Sequence, residues 1–127
     1  MNAKLFLFFR IVIAVVLFQT LYFKFTGHPD SVYIFSKINL EPVGRIGIGV
    51  LELLAGILIL TRRYSWAGAL MTFAMMGGAI GMHLNTLGIV IKDDNGLLFG
   101  LAVLLLVLSS IVLIAQRKAI PIIGKLL

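Results

Sequence analysis

The sequence predicts an all-α membrane protein, a bundle of four transmembrane helices, and three observations carry that prediction. Hydrophobic residues fill 61% of the 127 positions and charged residues only 13%, against about a quarter charged in a soluble chain. Apolar runs of membrane-spanning length recur four times. The charges gather where those runs end. Lipid is the solvent in which such a composition is stable, and the length supports a single domain over residues 1–127.

The runs extend from about Leu5 to Phe25, Val43 to Leu60, Trp66 to Ile91 and Leu97 to Ala115. A helix needs roughly 20 residues to cross a bilayer of about 30 Å, so the second and fourth runs are slightly short and the first and third slightly long. The first has a basic start like a secretory leader. It continues through Gln19 to Phe23 with no small-x-small cleavage site, so a retained helix is expected. Pro42 suits the start of the second span, where its missing N–H is harmless. Ser65 suits the N-cap of the third, and Asp94 or Asn95 that of the fourth, after a tight turn at Asp93-Asp94-Asn95-Gly96. Only the first loop is long. Pro29-Asp30-Ser31 starts a short helix there, running to about Ile38. Its Val32, Phe35 and Ile38 stripe is expected to rest at the membrane interface.

Gly77-x-x-x-Gly81 in the third span, and Gly47, Gly49, Ala55 and Gly56 in the second, offer surfaces for close helix contact. That contact serves the bundle itself or a homo-oligomer. Met71, Met75, Met76 and Met82 read as adaptable packing.

A net charge of +6 in a soluble chain would raise the question of nucleic acid. Here the charges lie at span ends and face anionic lipid, and no nucleic-acid motif is visible. The absence of cysteine removes disulfide exchange, thiolate catalysis and cysteine-ligated metal. Lys4, Arg10, Arg62, Arg63, Arg117, Lys118 and Lys125 fall on one side of the membrane. The remaining basic residues, Lys24, Lys37, Arg45 and Lys92, fall on the other. Lysine and arginine excess marks the cytoplasm, which places both termini there, in a bacterial inner membrane.

Charge at the centre of a span costs at least roughly 2.5 kcal/mol, so the polar residues within the runs need partners or a task. They are Gln19 and Lys24 in the first span, Arg45 and Glu52 in the second and His83 in the third. All lie in the half of the bundle away from the termini. Glu52 is near mid-membrane, and Arg45 sits two turns away on the same face, so Arg45, Lys24 and His83 are its expected partners. Gln19 and Lys24 are about 140° apart around the helix, so both are not expected to face one ligand. Glu52→Leu is expected to hold or raise stability, since removing a buried charge is often neutral or favourable. His28 and His83 are the only histidines, and no spacing supports them as a haem-ligand pair or as part of a metal site.

The stretch from Gln19 through Lys24, Gly27, His28, Pro29 and Asp30 to Phe35 resembles the first-helix signature of the DoxX-like family of small integral membrane proteins. Glu41 to Leu53, with Pro42, Gly44, Arg45, Gly49 and Glu52, resembles its second-helix signature, and Ala79 to Leu84, with Gly81 and His83, its third. The resemblance implies a four-helix bundle and association with membrane redox systems. The family takes its name from a small subunit of archaeal quinone-linked thiosulfate oxidation. Gln19, Lys24, His28, Arg45, Gly49, Glu52 and His83 match the pattern, which attaches no catalytic role to them. The lack of cysteine separates the chain from thiol-based four-helix membrane reductases.

Three functions are consistent with these residues. In the first, the chain is a redox-associated subunit, working with membrane redox partner proteins. It binds a quinone or lipid-like ligand in the outer half of the bundle. Glu52, His83 and Lys24 exchange protons there, Gln19, Arg45 and His28 complete the polar set, and Tyr22, Phe23 and Phe25 pack the ring. In the second it is a structural or assembly partner whose polar cluster fixes helix register. In the third it is a small proton-coupled transporter. The residues alone fix no cofactor and do not establish whether the chain is an enzyme.

Overall fold

A computed structural model of the protein describes residues 2–91 and 96–120. It contains the four long helices and the short loop helix. They are α1 (Ala3–Phe25), α2 (Pro29–Lys37), α3 (Val43–Leu60), α4 (Ser65–Met82) and α5 (Leu97–Ala115). In hydrocarbon every backbone N–H and C=O must be bonded within the protein, and a helix does this within its own segment. The four long helices are long and apolar enough to cross a membrane. Around the bundle they follow the order α1, α3, α4, α5, with α2 at the end where α1 gives way to α3. We call that the α2 end and the opposite one the terminal end.

The helix starts differ from the expected capping. Asn2 caps α1, its Oδ1 accepting from Lys4 N–H at 2.8 Å. Tyr64, not Ser65, holds the N-cap position of α4. The Ser65 hydroxyl, buried at the terminal end, bonds instead to the Gln116 side chain and so ties α4 to the end of α5. Pro42 stands at the N-cap of α3, one position earlier than expected. Gly96, with φ +80°, precedes α5; the turn expected at Asp93, Asp94 and Asn95 lies outside the described residues.

The third span breaks before the expected Ile91. After Met82 the backbone widens into a π-helical turn over His83–Leu87 and stops at Gly88, whose φ of +80° favours glycine. Beyond it the chain turns inward and buries Ile91 against the bundle.

The core joins Ile13, Ala14 and Leu17 of α1 to Ala55 and Ile59 of α3, Ala69 and Met76 of α4, and Leu105, Leu108 and Val112 of α5. Buried hydroxyls satisfy themselves on their own helices: Thr72 donates to Gly68 C=O at 2.8 Å and Ser109 to Leu106 C=O at 3.2 Å. Outward faces carry Val15, Val50, Leu54, Ile57, Val107 and Ile114, all exposed, which is the surface a bilayer covers.

The glycines divide unexpectedly. A Cβ on Gly68 would lie 2.6 Å from Ile59 N and 2.7 Å from Ala55 O, so this glycine lets the α3 and α4 backbones meet. Gly56 and Gly49 give room to the rings of Phe18 and Phe25. Among the described residues the expected Gly77–Gly81 pair packs against nothing, since a Cβ on either would meet no atom within 4 Å. Of the neighbouring pairs, α1 and α5 meet along much the least of their length. They leave a hollow at the α2 end.

Candidate functional site

The hollow is a half-open cavity of about 610 Å³. Val16, Thr20 and Phe23 of α1 form one wall, Ala74, Gly78 and Met82 of α4 another, and Leu98, Leu101 and Ala102 of α5 a third. Small residues at Ala74, Gly78 and Ala102 create the space. Helix α2 lies across the end, presenting Ser31, Ile34 and Phe35, with Ile38 just after it. The apolar stripe expected at the lipid interface therefore turns inward through Phe35 and Ile38; Val32 is not in the lining.

Four of the six candidate residues line this one cavity: Gln19, Lys24, Glu52 and His83. Gln19 and Lys24 share it despite their angular separation, because the cavity curves round α1 instead of meeting one stripe. Gln19 is exposed, and its side chain makes no hydrogen bond among the described residues. Glu52, only 3% exposed, sits halfway along α3. Its Oε1 is 3.0 Å from Lys24 Nζ, and its Oε2 is 2.9 Å from Thr20 Oγ1. Thr20 and Lys24 are one turn apart on α1 and hold the carboxylate together.

Thr20 Oγ1 also lies 2.8 Å from Leu17 C=O. A hydroxyl has a single proton and cannot donate to both oxygens at once. With Glu52 ionised, the carboxylate takes Lys24 and competes for the Thr20 proton. With Glu52 protonated, its O–H donates to Thr20, which donates onward to Leu17. The geometry thus accommodates either state of the carboxyl group.

His83 is 5% exposed and opens the π-helical turn. Its Nδ1 lies 3.0 Å from Gly88 C=O. A carbonyl only accepts, so Nδ1 carries a proton, and in a neutral ring Nε2 is then left as an acceptor. No described residue bonds to Nε2. The ring meets Phe99 of α5 edge-on, with centroids 5.6 Å apart. Local π-helical register often accompanies functional sites. Here it turns the chain so that its own carbonyl orients the imidazole.

Arg45 and His28 stand outside the cavity lining. Arg45 does not reach Glu52 as expected. Its Nε donates to both Glu41 carboxylate oxygens, at 2.8 and 3.0 Å, and its Nη1 donates to Lys24 C=O. Glu41 is one turn earlier and closer than Glu52, so the shorter-range pair wins. One guanidinium thereby clasps both ends of the loop that carries α2. His28, not Asp30, caps α2: its Nδ1 accepts from Asp30 N–H at 3.1 Å, and its ring edge meets Phe23. A nitrogen that accepts is unprotonated, so the 4.0 Å approach to Asp30 Oδ2 is not an ion pair in this state. Among the proposed ring-packing aromatics only Phe23 lines the cavity. Tyr22 is exposed, and Phe25 covers Gly49.

Arg45→Lys keeps the charge but loses the fork that reaches both partners. Amide exchange across residues 29–38 in nanodiscs is expected to quicken by at least about tenfold; unchanged exchange would show that the clasp does not order α2.

The family model for DoxX matches residues 5–85, which span α1 to the π-helical turn and include all six candidate residues. The chain belongs to the DoxX family. No curated protein and no solved structure matches it. In this DoxX protein the family-matched segment supplies the polar side chains that line the cavity among the described residues, while α5 contributes an apolar wall from outside it.

Proposed function

We propose that this DoxX protein is a redox-associated membrane subunit that holds a quinone or quinone-like lipid in its cavity. The observation that carries the reading is one wall-set: a Lys24–Glu52 pair and an imidazole acceptor in an otherwise largely apolar hollow of about 610 Å³. Small-molecule sites combine this size with a few convergent polar groups. Lys24 is the donor for a ring carbonyl oxygen. His83 Nε2 is the acceptor for a ring hydroxyl. Oxidation of a quinol releases two protons, which Glu52 and His83 take up, and two electrons, which pass to a partner redox protein.

Mass spectrometry of protein extracted into nanodiscs is expected to find a quinone at near-stoichiometric amount, and a several-fold smaller amount with Glu52→Gln. Recovery of bulk phospholipid alone from both would favour the second reading. That reading rests on the Lys24–Glu52–Thr20 set, complete within the protein, as a device fixing helix register.

The reading also places both termini in the cytoplasm of a bacterial inner membrane, on the basic-residue asymmetry. Reporter fusions at residue 127 and between residues 93 and 96 should fall on opposite sides. The same side for both would reject this topology.

A further inference from the structure

At the terminal end, far from the cavity, Arg10 is 5% exposed in the third turn of α1. Its Nε donates to Ile59 C=O at 2.7 Å, in the last turn of α3, and its guanidinium lies over the Phe6 ring at 5.4 Å. Its terminal nitrogens make no other bond among the described residues. Arg62, exposed and three positions beyond Ile59 at the same end of the bundle, adds a second positive charge there. The three described acids all have basic or imidazole neighbours toward the α2 end: Glu52 with Lys24, Glu41 with Arg45, Asp30 beside His28. A buried cation ordinarily has a carboxylate, and a second cation at the same end adds to the need for an anion.

Position narrows the anion. Arg10 lies about 10 Å along α1 from Ala3, within reach of the headgroup layer for a long side chain. A hollow bordered by Ala3, Phe6, Ala115 and Gln116 opens beside its Phe6 support, between the start of α1 and the end of α5. We propose that Arg10 and Arg62 form a site for the headgroup phosphate of an anionic phospholipid, whose glycerol region lies along this hollow. Guanidinium pairs suit phosphate because their planar N–H groups bond two oxygens together. The site does not depend on what the cavity holds.

Native mass spectrometry in mixed phosphatidylglycerol and phosphatidylcholine tests the site. The wild-type protein should retain one phosphatidylglycerol in preference to phosphatidylcholine. Arg10→Gln and Arg62→Gln should each weaken that retention about tenfold, the loss of one charge-assisted contact. Arg62→Gln alters a surface residue, so it decides the matter even if Arg10→Gln fails to fold. Arg63→Gln, which removes an equal charge over the exposed Tyr64 ring, should leave retention unchanged. Equal losses in all three variants would reduce the effect to diffuse surface charge and overturn the site. Displacement of the lipid by millimolar inorganic phosphate would show that a free anion, not a phospholipid, is what it binds.

Discussion

Glu52→Leu is expected to destabilise the bundle by about 3 kcal/mol, because it strands the Lys24 ammonium inside the cavity. The cost lies less in the lost attraction than in the cation left without a partner. Lys24 is near the end of α1, so partial escape toward the α2 end sets the value at the lower part of the range for broken buried pairs. This reverses what the sequence suggests, where Glu52 alone looks like a removable charge. Lys24→Met combined with Glu52→Leu removes both charges and should return to within about 1 kcal/mol of the parent. If the quinone reading is right, ligand retention stays lost in the double variant although stability recovers. Thermal unfolding in a single detergent, run beside a ligand assay, separates the two. Equal stability of Glu52→Leu and the double variant would mean that Lys24 does not depend on Glu52.

Gly68→Ala is expected to cost about 2 kcal/mol, with Gly68→Leu preventing the native α3–α4 contact altogether. The added Cβ meets backbone atoms of Ile59 and Ala55, which cannot rotate away as a side chain would. Gly77→Ala is the control: nothing lies within 4 Å of its Cβ, so a change within about 0.5 kcal/mol is expected. Comparable losses at Gly68 and Gly77 would show that a helix outside the chain packs on Gly77.

The spans were legible because their determinants are local. Val43–Leu60 and Leu97–Ala115 begin and end where the apolar runs do, and Pro29–Lys37 starts at its proline. That Glu52, Lys24 and His83 line one cavity follows from depth, which residue counting gives. Partner choice does not follow. Arg45 faces Glu41 and Glu52 on one helical face, and only the three-dimensional reach of its guanidinium shows which is bonded. Thr20 carries no mark of its own in the sequence, since a threonine in an apolar span is common, although its i,i+4 relation to Lys24 is a signal. The break at Gly88 hides inside an apolar run, where hydropathy carries no mark of a π-helical turn. Which glycines touch backbone depends on helix rotation, so Gly77 and Gly81 looked more important than Gly68.

Photolabelling with an azidoquinone, followed by peptide mapping, tests the central claim most directly. The cavity reading predicts label on the walls that enclose the hollow, at Val16–Lys24, Met75–His83 and Leu97–Leu105, suppressed by excess quinone and by Glu52→Gln. Label spread over the outward residues Val50, Leu54 and Ile57 of α3, indifferent to both, would place the quinone in the surrounding lipid and contradict the account.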